Sequence, residues 1–333
     1  MLSRRRFLGS TGVGVLALSG TSCLAAAQQP AVSATGTQDD RLAKKIRLKS
    51  VKNRFLGYPV NMNTPPAAFF NLRNELCHAG IDQFAFNNVG NPFKKSPIPY
   101  STHDFERDTI LAFGKLYGFP TNDTWGFLSN SGTDSNMHGM YMGRTILKAR
   151  AGRLPKAYFT RESHYSVQIL RDLLGLENVV VDTLPDGGMD PEDLAKKLAV
   201  HSEAPALIVA TVGTTFKGAI DRMEMIRPKL QGYTSYVHLD AALFGGYLPF
   251  TKFANEVAFR NGSADKGRYD SIAVSCHKFS GFPSPAGLFI TTQRRYDEFD
   301  NLFSKIHNPE YIHQVPGTIT CSRDAVKPAE FYY

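Results

Sequence analysis

From Ala206 to Val212 the chain reads Ala-Leu-Ile-Val-Ala-Thr-Val, a run without a charged side chain. A strand with one wet face alternates apolar and polar residues. This one does not, so it is predicted to be buried on both faces, as strands of helix-covered parallel sheets are. It ends in Gly213-Thr214-Thr215-Phe216-Lys217-Gly218-Ala219-Ile220-Asp221, with Asp221 expected to cap a helix. Small and hydroxylic residues at the carboxyl end of such a strand mark the ligand edge of an α/β sheet. Other short apolar runs (Trp125–Leu128, Ala157–Thr160, Val179–Val181, Ser271–Val274) alternate with helical patterns over Met137–Lys148, up to Leu174, and from Asp190. That alternation predicts a mainly parallel α/β sheet with its site at the strand ends. An amphipathic helix is expected from His103 through Tyr117, with His103 either capping it or facing the site.

Two of these strands end in chemistry. Ser271–Val274 runs into Ser275-Cys276-His277-Lys278, followed by Phe279-Ser280-Gly281-Phe282-Pro283-Ser284-Pro285-Ala286-Gly287. A desolvated, partly neutral lysine is nucleophilic enough to form a Schiff base with an aldehyde cofactor. A surface lysine in a turn is the plain alternative. Upstream, Val237-His238-Leu239-Asp240-Ala241-Ala242 ends in an acid and two small residues. An aspartate suits the pyridine nitrogen of pyridoxal phosphate, keeping it protonated and the ring an electron sink. Ala242 is small enough for a flat ring to lie against it. Alone, His-x-Asp could equally bind metal or be structural. Trp125–Leu128 leads into Ser129-Asn130-Ser131-Gly132-Thr133-Asp134-Ser135-Asn136 and then a helix. Backbone N–H groups at a helix start, with hydroxyls and a glycine for close approach, make a phosphate site. Such clusters are also ordinary N-caps.

Together, His238-Leu239-Asp240-Ala241-Ala242 and Ser275-Cys276-His277-Lys278 resemble the motifs of the pyridoxal-phosphate-dependent group II amino-acid decarboxylases. The similarity runs from about Gly57 to the last residue and is nearest to bacterial histidine decarboxylases and plant serine decarboxylases. It implies the type I fold of these enzymes, a mainly parallel seven-stranded sheet with helices on both faces, and a homodimer. It implies Lys278 as the Schiff-base lysine, Asp240 at the ring nitrogen and Ser131, Gly132 and Thr133 at the phosphate. It also implies Ala242, Ser275 and His277 around the cofactor, and Thr215 near its phenolic oxygen. His164, in Arg161-Glu162-Ser163-His164-Tyr165-Ser166, would stack on the ring opposite Ala242. Tyr311, in Asn308-Pro309-Glu310-Tyr311-Ile312, matches the mobile-loop tyrosine, a candidate proton donor. The resemblance implies α-decarboxylation of an amino acid, histidine favoured, serine next, aromatic residues or glutamate behind. Rival readings are an oxygen-consuming aldehyde synthase, which commonly lacks that tyrosine, and a truncated protein that binds the cofactor without turnover.

The front end reads differently. Ser3-Arg4-Arg5-Arg6-Phe7-Leu8, a weakly apolar stretch to Gly20 and Ala25-Ala26-Ala27 form a signal peptide of twin-arginine type, predicting export to the periplasm. The apolar stretch is too short and too rich in Gly and Ser to span a membrane. Residues 28–40 are an expected linker, 41–100 an N-terminal segment with a helix over Arg41–Lys52, 101–300 the cofactor-binding domain and 301–333 the catalytic loop and the start of a shortened C-terminal lobe. In that last stretch Asp324-Ala325-Val326 follows Ser322-Arg323, where the relatives usually have Asn-Gly-His, and most of the small C-terminal lobe is expected to be missing. The net charge of +8 includes three arginines in Met1–Ala27. The rest is a mild, scattered excess that does not argue for nucleic acid. Four cysteines at irregular spacing are neither a disulfide framework nor a zinc pattern.

Overall fold

A computed structural model describes residues 43, 47, 61–63, 65–80, 87–260, 267–303, 306–310, 312 and 315–332. The expected leader, the linker, most of the 41–52 helix and the catalytic-loop Tyr311 lie outside the described residues. The chain divides into two units. To the smaller belongs helix α1 (Ala67–His78), entered from the extended backbone of Pro66. The larger comprises Pro59–Asn63 and Asn87–Tyr332.

In the larger unit the seven-stranded sheet holds β2 (Thr124–Ser129), β3 (Lys156–Thr160), β4 (Asn178–Val181), β5 (Ala206–Thr211), β6 (Ser235–Asp240), β7 (Ser271–Ser275) and β8 (Gly287–Thr292). Their spatial order is β2-β8-β7-β6-β5-β3-β4. β4, β3, β5, β6 and β7 pair in parallel, while β8 runs antiparallel to both β7 and β2. Every residue of β5 is buried, as its unbroken apolar run predicts. Each large aliphatic side chain taken from water in this way stabilises the fold by roughly 1.5–3 kcal/mol.

Helix α2 (His103–Leu116) packs on β2, and α3 (Gly132–Ala151) covers β5 through β8. Between α3 and the sheet lie Trp125, Phe127, Met140, Ile146 and Phe289, all fully buried. α4 (Tyr165–Leu173), α5 (Pro191–Val200), α6 (Met223–Lys229), the single turn α7 (Cys276–Phe279) and α8 (Gln293–Leu302) complete the alternation. A separate ribbon pairs β1 (Asn87–Val89) with β9 (Ser322–Asp324), followed by α9 (Val326–Tyr332). It is tied to the main body by Arg323 and Glu106, an ion pair at 3.0 Å in which both side chains are 1% exposed. Glu106 also accepts from the Leu128 N–H and from Asn88, so neither of its own carboxylate oxygens is left without a donor.

Three expectations are corrected. α3 begins at Gly132 and not near Met137, because the Ser131 hydroxyl accepts the Asp134 N–H and turns the Ser/Thr-rich stretch into the first helical turn. His103 does not cap α2: the N-cap is Thr102, and His103 is the buried first helical residue. Asp221 caps no helix either. Its two oxygens accept the Met189 N–H at 2.6 Å and the Thr211 N–H at 2.7 Å, bolting the end of β5 to a neighbouring loop.

Candidate functional site

β2, β5, β6 and β7 deliver their last residues to one edge of the sheet, where a cavity of about 210 Å³ opens. Ser131, Gly132, Thr133, His164, Thr215, Asp240, Ala242, Ser275, His277 and Lys278 all line it. These are the residues singled out from the sequence, apart from Tyr311, which lies outside the described residues. Asn136, Ser166, Thr211, Gly213, Leu243 and Pro285 line it as well and were not anticipated. Asn136 lies one turn beyond Gly132 on α3, a relation that exists only because the helix starts at Gly132.

Each wall has a local reason. Ser131 has extended backbone, and Gly132 opens α3 with its N–H groups unpaired within the helix. A Cβ at Gly132 would sit 2.2 Å from Ser275 Oγ and 3.2 Å from the Ala242 Cβ, so only glycine leaves the floor of the cradle open. His164 is both cap and wall: its Nδ1 bonds the Ser166 hydroxyl at 2.8 Å and accepts the Ser166 N–H at the start of α4. Lys278 stands in the turn α7, directly after β7. That turn is held from outside by Asn61, whose N–H donates to the Lys278 carbonyl at 2.7 Å and whose amide donates to the Phe279 carbonyl. Tyr247 Oη donates to the same Lys278 carbonyl at 2.8 Å. His277 Nδ1 bonds the Ala286 backbone, 3.0 Å from its carbonyl oxygen and 3.3 Å from its nitrogen, closing the Gly- and Pro-rich loop over the turn.

The electrostatics are those of a dry site. Burial pushes the Lys278 amine below the ordinary lysine range, and the Asp240 charge partly offsets this. Burial pushes the Asp240 carboxyl up, against the Ala242 N–H, Asn136, His164 and Lys278. Burial likewise lowers His164, with Asp240 opposing and Lys278 assisting. Asp240 Oδ1 accepts the Ala242 N–H at 3.1 Å, while its buried Oδ2 has no hydrogen-bond partner. A buried carboxylate oxygen without a donor is costly, and here it faces a cavity. Cys276, next to the lysine, is buried with its thiol pushed up to about 12, and so is an inert packing residue.

The family model of the pyridoxal-dependent decarboxylase conserved domain matches residues 91–311. Histidine decarboxylase of Solanum lycopersicum is 34% identical over 293 residues, 86% of this chain and 64% of that protein. Serine decarboxylase 1 of Oryza sativa subsp. japonica is 35% identical over 282 residues, 84% of this chain and 53% of that protein. Histidine decarboxylase of Morganella morganii is 34% identical over 285 residues, 84% of this chain and 68% of that protein. The chain thus spans just over half to about two thirds of these relatives. Among solved structures, L-methionine decarboxylase from Streptomyces sp. 590 superposes with a TM-score of 0.71 at 20% identity, over 91% of this chain and 76% of that one. At that identity the likeness shows the fold, which is the expected one. By its motifs, its fold and these matches, the chain belongs to the pyridoxal-dependent decarboxylase family.

Proposed function

We propose that this protein decarboxylates an L-amino acid with pyridoxal phosphate, histidine first among substrates, releasing the amine and CO₂. One observation carries the reading: a buried carboxylate oxygen without a donor (Asp240 Oδ2) and a lysine of lowered pKa (Lys278) share one small cavity. The cavity fits the cofactor. Asp240 Oδ2 lacks the donor that a protonated ring nitrogen would supply, and the cradle at Gly132 is one that a Cβ would fill. When bound, pyridoxal phosphate supplies a carbonyl that captures amines and a cationic ring that accepts the electron pair left as CO₂ departs.

The chain's own residues do the rest. The start of α3, with Ser131, Gly132 and Thr133, holds a phosphate through backbone N–H groups and hydroxyls. Asp240 keeps a ring nitrogen protonated, because an ionised carboxylate is stabilised in this dry wall only by a cation or a donor. Ala242 and His164, both in the cavity wall, would flank the ring, and Thr215 would serve its phenolic oxygen. Desolvation raises the neutral fraction of Lys278, which makes it a nucleophile near neutral pH. Once freed by the substrate amine, Lys278 Nζ can carry a proton, and His164 and Tyr311 are the other carriers we assign.

Histidine is supported by the tomato and Morganella relatives, serine by the rice one. We also propose a homodimer, supported by Tyr165, Ile169 and Leu173, an exposed apolar stripe along α4. Export of the folded protein through the leader in 1–27 is a further proposal, checked by N-terminal sequencing of periplasmic material. The test of the reaction is CO₂ release from carboxyl-labelled histidine and serine by the parent and by Lys278→Ala. The parent should release label from histidine faster than from serine, and the variant should release none. A variant as active as the parent would remove Lys278 from the reaction.

A further inference from the structure

Tyr236, His238 and Asp240 follow one another at strand period, so they share one face of β6. α3 covers that face, closely enough that a Cβ on Gly139 would sit 2.3 Å from the His238 ring. Under it lies a run of buried polar side chains for which the function above has no use. Tyr236 Oη lies 3.0 Å from Ser271 Oγ, Ser271 Oγ lies 2.8 Å from His238 Nδ1, and His238 Nε2 lies 3.0 Å from Asn136 Oδ1. All four side chains are buried. Asn136, the last of them, lines the cofactor cavity.

The chemistry of the groups fixes the direction of each bond. Asn136 Oδ1 can only accept, so the imidazole proton is on Nε2. His238 Nδ1 must then accept, and the Ser271 hydroxyl donates to it. That leaves the Ser271 oxygen to receive the Tyr236 hydroxyl. The order runs one way, from the phenol to the amide, and ends at Asn136, which lines the cofactor cavity together with Asp240. Asn136 is among the groups that favour the ionised form of Asp240. Burial holds His238 at a pKa of about 3, so the ring stays neutral across the physiological range and the direction does not reverse. The other charges that Asp240 meets are His164, Lys278 and Asp221.

We propose that Tyr236, Ser271, His238 and Asn136 are positioning residues, a one-way relay that sets the orientation and charge of Asp240 toward the ring nitrogen of pyridoxal phosphate. The inference rests on the cofactor reading above and extends it beyond the residues that touch the cavity. It makes His238 more than a packed strand residue: its ring fixes which way the Asn136 amide is turned.

Equilibrium dialysis of pyridoxal phosphate, the visible spectrum of the bound cofactor and the melting of the cofactor-free chain test it. The variants are Asn136→Leu, His238→Leu and His238→Gln. Loss of the polar support that Asn136 gives the ionised form of Asp240 should weaken cofactor affinity by roughly tenfold or more in both leucine variants, with a shifted visible band. His238→Gln, whose amide both accepts and donates, should bind within about threefold of the parent. A network that only supports the fold would lower melting while leaving affinity and spectrum at parental values, and that result overturns the proposal. If His238→Leu does not fold, Asn136→Leu, at the cavity wall, decides by the same two readouts. A parent that binds while both readouts are unchanged in Asn136→Leu overturns the relay alone. A parent that takes up no pyridoxal phosphate overturns the function and the relay together.

Discussion

The sheet has two ends, and each carries a cavity. At the end where β6 and β7 begin, a cleft of about 870 Å³ is bordered by Ser235, Asp270 and Thr292, with Arg150, Arg294 and Arg295 around it. At the end where those strands finish, the cofactor cavity has about a quarter of that volume, 210 Å³. Three arginines of the larger cleft are already paired. Arg295 bonds Asp270 and Glu298, Arg150 grips Glu298 through two nitrogens at 2.8 Å each, and Arg294 pairs with Asp123. The smaller one keeps an acid oxygen without a donor and an amine whose pKa burial has lowered. Size does not locate the chemistry here; unsatisfied polar groups at the carboxyl ends of parallel strands do.

That contrast can be broken in several places. The largest effect is expected from Gly132→Val, which fills the cradle beside Ser275 and should abolish cofactor uptake by dialysis while leaving the far-UV spectrum unchanged. Uptake at the parental level would show that the small cavity is not the cofactor's. Next is Glu106→Ala, behind the phosphate loop. It leaves Arg323 buried without its partner and should cost about 3–5 kcal/mol in urea unfolding. At the large cleft, Arg295→Met should cost only about 1–3 kcal/mol, from the half-paired Asp270, and leave cofactor affinity at the parental value. A drop in affinity there would erase the distinction between the two ends.

Another effect concerns pH. Asp221 is buried at the foot of the site, its carboxyl raised to about 7 by desolvation against two backbone donors. The folded state therefore holds a proton that the unfolded state has released between about pH 4 and 7, so this group makes stability fall as pH rises. His138 and His238, both held near 3 by burial, act oppositely, because below about 6.5 the unfolded state binds their protons. In Asp221→Asn the carboxyl contribution is gone. Its stability should rise with pH more steeply than the parent's, by about 1.4 kcal/mol per unit in that window. Parallel curves would mean that Asp221 is ionised throughout.

The same contrast explains what could be read before any fold was at hand. Ser131-Gly132-Thr133, Asp240-Ala241-Ala242 and Ser275-Cys276-His277-Lys278 each follow a strand directly, so local pattern placed them at the carboxyl edge. The strand order could not be read that way, because β8 inserts between β2 and β7 through contacts far apart in sequence. Asn136 escaped for another reason: the Ser/Thr-rich run looked like loop, and only the Ser131 cap makes it helix, one turn of which carries Asn136 into the cavity. Asp221 was misread because its partners are 10 and 32 residues away, out of reach of any local rule. The paired arginines of the large cleft left no mark in the sequence at all, since nothing local distinguishes them from surface charge.

The central claim is that Lys278 is the amine that meets the cofactor. The most direct measurement is borohydride reduction of the chain incubated with pyridoxal phosphate, followed by peptide mass mapping. The account predicts a single pyridoxyl label, on Lys278, and its loss in Lys278→Ala. Labels spread over exposed lysines, or one persisting in Lys278→Ala, would contradict it.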